Sequence, residues 1–598
     1  MNRTQAERRH RTRNILSVSW LKLLSAVIVP LGLSAAERPV PPIPTYEVQL
    51  AVECASPEAA AKAELEFLPL PPGKSVAFSC RWDDSNPRHL KMKELMKKHG
   101  YKGTFYLTLL NRDFQRTVLP ELCKDGFTIG NHTWSHTYLP LLTPNGVHYE
   151  MLAARILHES LSDQTETAFI FPFGRYQWKF YPDAPDVISS CLRRTGALGG
   201  PDGAMTKLNK RPDSEFFNTE GRDIRPGDRD TREEKFDAHV RRALPKEGET
   251  AHLTLGVHTW HSDADFLTLE KSLQKYANRP DWWYCNENEF LACSYLYRHT
   301  RIVGKKTEGS RAVFTLEMPC PEHLGSDTPL WAKCAGKTIE IRHTRKLPVR
   351  IRTAEATGVV PDFPDLEMKL AFPAPDRVRF DAVNRGAALK DVSLILRLPP
   401  DFVEETLTCH VDEIAGNFSK EWRVTPVAAG PSAGQQLTAL QCDFTRDGAA
   451  ERIWVTHLRK IKPAGKAAAR IRCFAKPLEE EEATRLSCPA AEPKPGLFVP
   501  VEHRPEYRES IFHIPAKLRS KNGTTVLMDF SGGQAMILRG DDLPSVVYCN
   551  GEKLTSQKGE LKFAAPAGNC RLLLVYGKSS RPRAFLQLLL TPAGQEAQ

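Results

Sequence analysis

The chain has no C-x-x-C pair, although 14 cysteines are scattered from Cys54 to Cys570. That spacing excludes a zinc ribbon and a dense disulfide scaffold. Beyond residue 33 no stretch approaches ~18 uninterrupted apolar residues, so no spanning helix is expected in the mature chain. No fixed-period repeat is present. Nor is there a large excess of one charge. The formal charge is +10 over 598 residues, and residues 1–36 carry +5 of it through Arg3, Arg8, Arg9, Arg11, Arg13 and Lys22 against Glu7. The remaining +5 does not imply a nucleic-acid surface, and no nucleic-acid partner is expected. Hydrophobic residues make up 41% and charged residues 26%, which excludes a wholly disordered chain.

The length predicts three to five domains at ~100–200 residues each. Residues 1–36 read as a signal peptide: an Arg-rich start, an apolar run over 15–33, then Ser34-Ala35-Ala36 as small residues for cleavage. Export to the periplasm, cell surface or medium is therefore expected, with no stable membrane span after cleavage. An uncleaved anchor is the alternative. Residues 37–74 form a Pro-rich lead-in. Residues 75–300 alternate apolar strand-like runs with helical patterns. Strands are predicted over 75–80, 104–110, 127–130, 167–171 and 252–257, and a helix over 88–99. Asn286 with Glu289 has the capping-box spacing for a further helix. The alternation predicts a parallel α/β domain, with a barrel as one form of it. Residues 301–476 read as a β-sandwich-like domain, 477–495 as a charged linker and 496–598 as a second all-β domain.

The reactive residues follow strand ends. Asp83-Asp84 follow the first strand, His132 and His136 the third, Pro172-Phe173-Gly174 the fourth and His258 the last. In parallel sheets and α/β barrels the C-terminal strand ends surround the active site. Singly, each cluster is weak. Adjacent aspartates are usually a solvated turn, an H-x-x-x-H pair is as often a surface pair as a ligand pair, and a lone histidine is usually structural. Together they describe a site. One aspartate and two histidines hold a metal with open positions, as catalytic zinc is held. A second aspartate can take a proton from water, and a histidine on the opposite side can protonate a leaving group.

Trp82-Asp83-Asp84, Gly103-Thr104-Phe105-Tyr106, Gly130-Asn131-His132-Thr133-Trp134-Ser135-His136, Phe171-Pro172-Phe173-Gly174 and Val257-His258 occur in the order seen in polysaccharide deacetylases, carbohydrate esterase family 4. Residues 75–300 resemble that family. The resemblance implies a distorted (β/α) barrel, here followed by all-β domains. It implies a divalent metal, usually zinc, on Asp84, His132 and His136. It gives Asp83 the role of base, His258 that of acid, and the backbone near Phe173 that of oxyanion donor. The implied partner is an acetylated glycan.

Three departures stand out. Ser85 replaces the family's glycine. Ile170 stands where many members have the arginine that pairs with the base; Arg175, Arg222 and Arg225 are candidates to supply that charge. The fourth block is not identifiable, with Asp223 and Asp263 as candidates. His261 is a second candidate acid. Trp282-Trp283-Tyr284 is either a sugar-stacking platform or core. Asn131-His132-Thr133 matches a glycosylation sequon, but a ligand in its middle argues against modification. Two rivals to an exported deacetylase are a catalytically silent carbohydrate-binding protein and a metal-dependent hydrolase of a non-carbohydrate amide.

Overall fold

The computed structural model describes residues 44–593 except 109, 209–220, 225–232, 257, 260–261, 344–349, 463–468, 502–506, 509–510, 516–521, 541–542, 545, 558 and 578–584. Residues 1–36, read from sequence as a signal peptide, His261 and Arg225 lie outside the described residues, as do the side chains of Arg222 and Asp223. In chain order the strands begin with β1 (Thr45–Glu53) and β2 (Leu65–Leu68). Next come β3 (Val76–Asp83), β4 (Gly103–Leu107), β5 (Thr128–Asn131), β6 (Gly221–Ile224), β7 (Ala251–Leu255) and β8 (Trp282–Tyr284). They are followed by β9 (Arg301–Glu308), β10 (Arg311–Pro319), β11 (Leu330–Cys334) and β12 (Lys337–Ile341).

The expected parallel sheet is present. Its order is β5-β4-β3-β7-β6, and every ladder is parallel. Strand β3 is buried at all its positions, as a central strand covered on both faces should be. On one side it pairs first with β8, through Val76–Phe78, and then with β4, through Cys80–Asp83. Past β5 the sheet continues as single parallel bridges, Asn131 to Phe169 and Ala168 to Gly199. The predicted strand over 167–171 is thus reduced to two bridges. Among the described residues no ladder joins Gly199 to β6, and the strands are not seen to close into a barrel. The helix Glu287–His299 starts on the predicted capping box, with Glu289 N donating to Asn286 Oδ1 (2.9 Å) and Asn286 N to Glu289 Oε2 (3.0 Å).

The lead-in is tied into the fold. Strand β1 pairs antiparallel with β10 from Thr45–Pro319 to Glu53–Arg311, and β2 pairs with β11. The sheets β1-β10-β9 and β12-β11-β2 close on one core with Leu291, Tyr295 and Leu296 of the Glu287–His299 helix. Residues 301–341 therefore clasp the lead-in instead of opening the downstream domain. The remaining strands form two pairs of sheets. A five-stranded and a four-stranded sheet share a core containing Leu394, Leu396, Ile453, Met368 and Phe380. A six-stranded and a four-stranded sheet share another, containing Ile471, Val526, Leu574 and Leu590.

Two boundaries shift as a result. The strand Ala469–Phe474 pairs with Thr524–Gly532 and belongs to the last pair of sheets, not to a domain ending at 476. Within 477–495, read as a linker, a helix covers Glu480–Ser487. Its Ala483 and Leu486 are buried against that sheet while its glutamates face solvent, so the charge run is one face of an amphipathic helix. Arg571 secures the segment by donating to the carbonyls of Cys488 (3.2 Å) and Ala491 (2.5 Å).

The α/β and β parts share buried polar contacts. Arg452 Nη1 lies 3.1 Å from Glu159 Oε2, and its Nε 2.6 Å from Asp443 Oδ1, with all three side chains almost wholly excluded from solvent. Arg194 donates to the carbonyls of Leu398 (3.1 Å), Glu404 (2.6 Å) and Phe402 (2.9 Å). No helix among the described residues is long and apolar enough to cross a membrane. Among the described residues no disulfide joins any of the cysteines.

Candidate active site

Strand β3 delivers Asp83 and Asp84 at its C-terminal end, where its burial stops. Asp84 has φ 70°, a left-handed conformation rare for a residue with a Cβ. The turn is held from two sides. Thr108 N donates to Ser85 Oγ (3.0 Å), and Ser85 Oγ donates to the Thr108 carbonyl. The serine that replaces the family's glycine thus ties the turn to the end of β4. His89 is fully buried beneath, with Nε2 2.5 Å from the Asp84 carbonyl and Nδ1 3.1 Å from Thr259 Oγ1. A carbonyl only accepts, so Nε2 carries the hydrogen and Nδ1 accepts from Thr259, next to His258. Burial holds this imidazole at about 4, hence neutral, which that pattern requires.

The loop after β5 is equally constrained. Asn131 donates through Nδ2 to Met151 O (2.9 Å) and Glu166 Oε1 (2.7 Å), and accepts from Thr133 N (2.9 Å). This amide is buried and fully engaged, so the sequon is not an open glycosylation site. Glu150 accepts from Ser135 N (2.8 Å) and Ser135 Oγ (2.6 Å). Thr133 (φ 69°) and His136 (φ 52°) are left-handed, so the loop folds back and turns both histidines toward Asp84. Non-glycine residues in such conformations persist only where surrounding contacts over-determine them, and they gather at functional sites.

The ligating atoms of Asp84, His132 and His136 all lie within 4.8 Å of one another. From Asp84 Oδ1 the distances are 3.6 Å to His132 Nε2 and 3.3 Å to His136 Nε2. His132 Nδ1 is 3.1 Å from the Ile170 carbonyl. That hydrogen bond puts the proton on Nδ1 and leaves the Nε2 lone pair facing the cluster, the arrangement of a metal-ligating histidine. Burial holds His132 well below the ordinary imidazole value, with the nearby His136 adding to the effect. One carboxylate and two neutral imidazoles fit a first-row divalent cation.

Asp83 and His258 flank this cluster. His258 Nε2 is 3.8 Å from Asp84 Oδ2. Asp83 is buried, and its Oδ1 has no hydrogen-bond partner among the described residues. Burial pushes its carboxyl up to about 7, against the opposing pull of Arg81. Arg81 Nη2 is 3.1 Å from Asp83 Oδ2, with both side chains almost inaccessible. Arg81, which is not among the candidates for the charge missing at Ile170, thus lies against the Asp83 carboxylate. Arg81 and Asp83 are two apart on one strand and so share a face, the sequence signal that could have found it. Arg175 is exposed.

The Pro172-Phe173-Gly174 turn closes the other side. Asp202 holds its start by accepting from Phe171 N (2.9 Å) and Met205 N (2.6 Å). Phe173 has φ 59°, and its ring centroid is 4.5 Å from that of His136. Phe173 is 38% exposed, leaving an aromatic face beside the cluster; Trp134, 39% exposed, lies against Tyr149 (6.3 Å between ring centroids). Thr137, next to His136, hydrogen-bonds Tyr507 of the C-terminal part (Oγ1–Oη 3.0 Å). Other candidates fall away. Asp263 sits on the surface, 2.6 Å from Lys91. Trp282 is core, stacked on Phe78 (5.1 Å) and Tyr276 (5.8 Å).

The strand ends thus bring two carboxylates and three imidazoles into one cluster. Residues 72–184 match the family described as polysaccharide deacetylase, and the resemblance read from the motifs holds for this segment. His258 lies beyond it. Among solved structures the chain is similar to the peptidoglycan deacetylase PdaC from Bacillus subtilis, at 15% identity over 37% of this chain and 92% of that one (TM-score 0.25). It is also similar to a family 4 acetyl xylan esterase from Clostridium thermocellum solved with a cobalt ion, at 14% identity over 36% and 89% (TM-score 0.26). A third is a family pseudoenzyme from Bacillus anthracis, at 14% identity over 37% and 66% (TM-score 0.24). A curated relative, an uncharacterized 30.6 kDa protein from the fumA 3' region of Geobacillus stearothermophilus, is 26% identical over 82 residues. That match covers 14% of this chain and 31% of the relative, so the chain spans about a third of that protein's length.

Proposed function

We propose that this protein is an exported, metal-dependent hydrolase that removes N- or O-linked acetyl groups from a carbohydrate polymer. The observation that carries this reading is the convergence of Asp84, His132 and His136 within 4.8 Å, beside Asp83 and His258. Asp84, His132 and His136 would hold a divalent cation, with zinc the metal expected. That cation would supply Lewis acidity to the acetyl carbonyl and to water.

The chain's own residues do the rest. Asp83 takes the proton of the attacking water, and Arg81 keeps enough of it ionised to do so. His258, on the far side of Asp84, gives a proton to the departing nitrogen or oxygen. The two roles need different environments, and Asp83 is buried while His258 is partly exposed. The backbone at the Phe173 turn is assigned to the oxyanion. Phe173 offers a stacking face for sugar rings. The (β/α) barrel form belongs to this reading, as do β-sandwich accessory domains and an origin of export in residues 1–36. An arginine absent at Ile170 no longer favours a silent scaffold, because Arg81 lies against Asp83. The test is acetate release from a panel of N- and O-acetylated glycans, with and without chelator. Chelator-sensitive release is expected. Metal-loaded protein that releases no acetate from any of them would overturn the reading.

A further inference from the structure

A second cluster of metal-ligating side chains lies far along the chain from the Asp84 site. Cys320 caps the short turn Pro321–His323 after β10, Glu322 lies within that turn, and His410 stands on the strand Thr406–Ile414. The Cys320 sulfur, a Glu322 carboxylate oxygen and a His410 ring nitrogen all lie within 4.8 Å of one another. Glu322 Oε1 is 3.9 Å from His410 Nε2 and accepts from Ser393 Oγ at 2.9 Å. Ser393 is the cross-strand partner of His410, so the same register that places the histidine also fixes the carboxylate. Cys320 and Glu322 are buried, whereas the His410 side chain is 58% exposed and can adjust to an ion.

The cluster opens into a cavity of about 760 Å³ between β1 and the five-stranded sheet. Asp391, Asp412, Asp443 and Glu451 also line it. Arg452 neutralises Asp443, and Arg350 Nη1 lies 3.4 Å from Glu451 Oε1. Glu451 Oε2, on a residue 2% exposed, has no hydrogen-bond partner among the described residues. A buried carboxylate oxygen without a partner is costly. A cation in the cavity would offset that cost.

We propose that Cys320, Glu322 and His410 form a second divalent-metal site that takes Zn²⁺ and clips the β10 turn to the downstream sheet. Thiolate, imidazole and carboxylate are the three ligand classes of protein-bound zinc, and three of them leave a fourth position facing the cavity. On binding, the Cys320 thiol releases its proton to solvent and the sulfur donates to the ion. The site does not depend on the deacetylase reading.

The experiment uses the full chain stripped by chelator and titrated with Co²⁺, then with Zn²⁺. A thiolate ligand gives cobalt a near-ultraviolet charge-transfer band, which a site of one aspartate and two histidines cannot. The band is expected in the wild type and in Asp84→Asn. It should be lost in Cys320→Ser and in His410→Ala, with one fewer zinc ion per chain by native mass spectrometry. The exposed position of His410 keeps that variant foldable. No band in the wild type, or a band and zinc count unchanged in His410→Ala, would overturn the proposal.

Discussion

Arg81→Met tests how the base is kept usable. The substitution keeps a long apolar stem and removes the cation 3.1 Å from Asp83. Burial already holds Asp83 at about 7, and Arg81 is the largest influence in the opposite direction. An opposite charge at this distance is worth ~1–3 pH units to a carboxylate. Its loss therefore moves Asp83 upward, and at a pH below both values the ionised fraction falls by ~10- to 1,000-fold. A base works deprotonated, so the lost activity should return as pH rises, and the acid limb should move up by ~1–3 units. A cation on Asp84 lowers Asp83 in both proteins and leaves the difference in place. Acetate release would be measured from pH 5 to 10, with metal content as the control. Arg81→Lys should restore part of the acid limb. A profile lowered equally at every pH would refute the reasoning, because that outcome marks lost structure rather than lost charge.

Asp84→Asn should lose metal, whereas Asp83→Asn should keep it and still lose ~10²–10⁴-fold in turnover, since an amide cannot take the proton. Equal metal loss in both would merge their roles. Arg452→Met leaves Asp443 buried without its cation, while Glu159 keeps Arg155 at 2.7 Å, and should cost about 3–5 kcal/mol in denaturant unfolding. For the same reason, residues 70–300 alone should be insoluble without 301–476, and a soluble, cooperatively folding fragment would contradict this. His148 is buried, has no hydrogen-bond partner for either ring nitrogen among the described residues, and is held at about 3 by burial and by Arg194. Folding therefore excludes its proton, and stability is lost as pH falls from about 6.5 towards 3, by ~2 kcal/mol at pH 5. His148→Leu should flatten that acid loss in melting curves recorded between pH 7 and 4, and an unchanged slope would refute it.

The site was legible where chemistry sits at strand ends. Strand β3 runs apolar into Trp82-Asp83-Asp84, and the His132–His136 spacing survives folding because Asn131 and Glu150 hold the loop. The partner of Asp83 does not come from the position the family uses; Arg81 reaches the same carboxylate from its own strand. His89 and Asp202 were invisible because their roles are hydrogen bonds to backbone, which no side-chain pattern announces. Two boundaries shift for a topological reason. Strand β1 pairs with β10 some 260 residues later, and local pattern carries no information about so distant a partner. The charged run over 479–482 hid a helix because its two buried apolar residues, Ala483 and Leu486, are few beside its glutamates.

The account rests on acetyl hydrolysis at the Asp84 cluster, and the most direct measurement is acetate released from acetylated glycan by the full chain, before and after chelation. Release that stops with chelator, returns with added zinc and is absent in His132→Ala is the predicted result. Acetate release that continues unchanged in the chelated protein or in His132→Ala would contradict it.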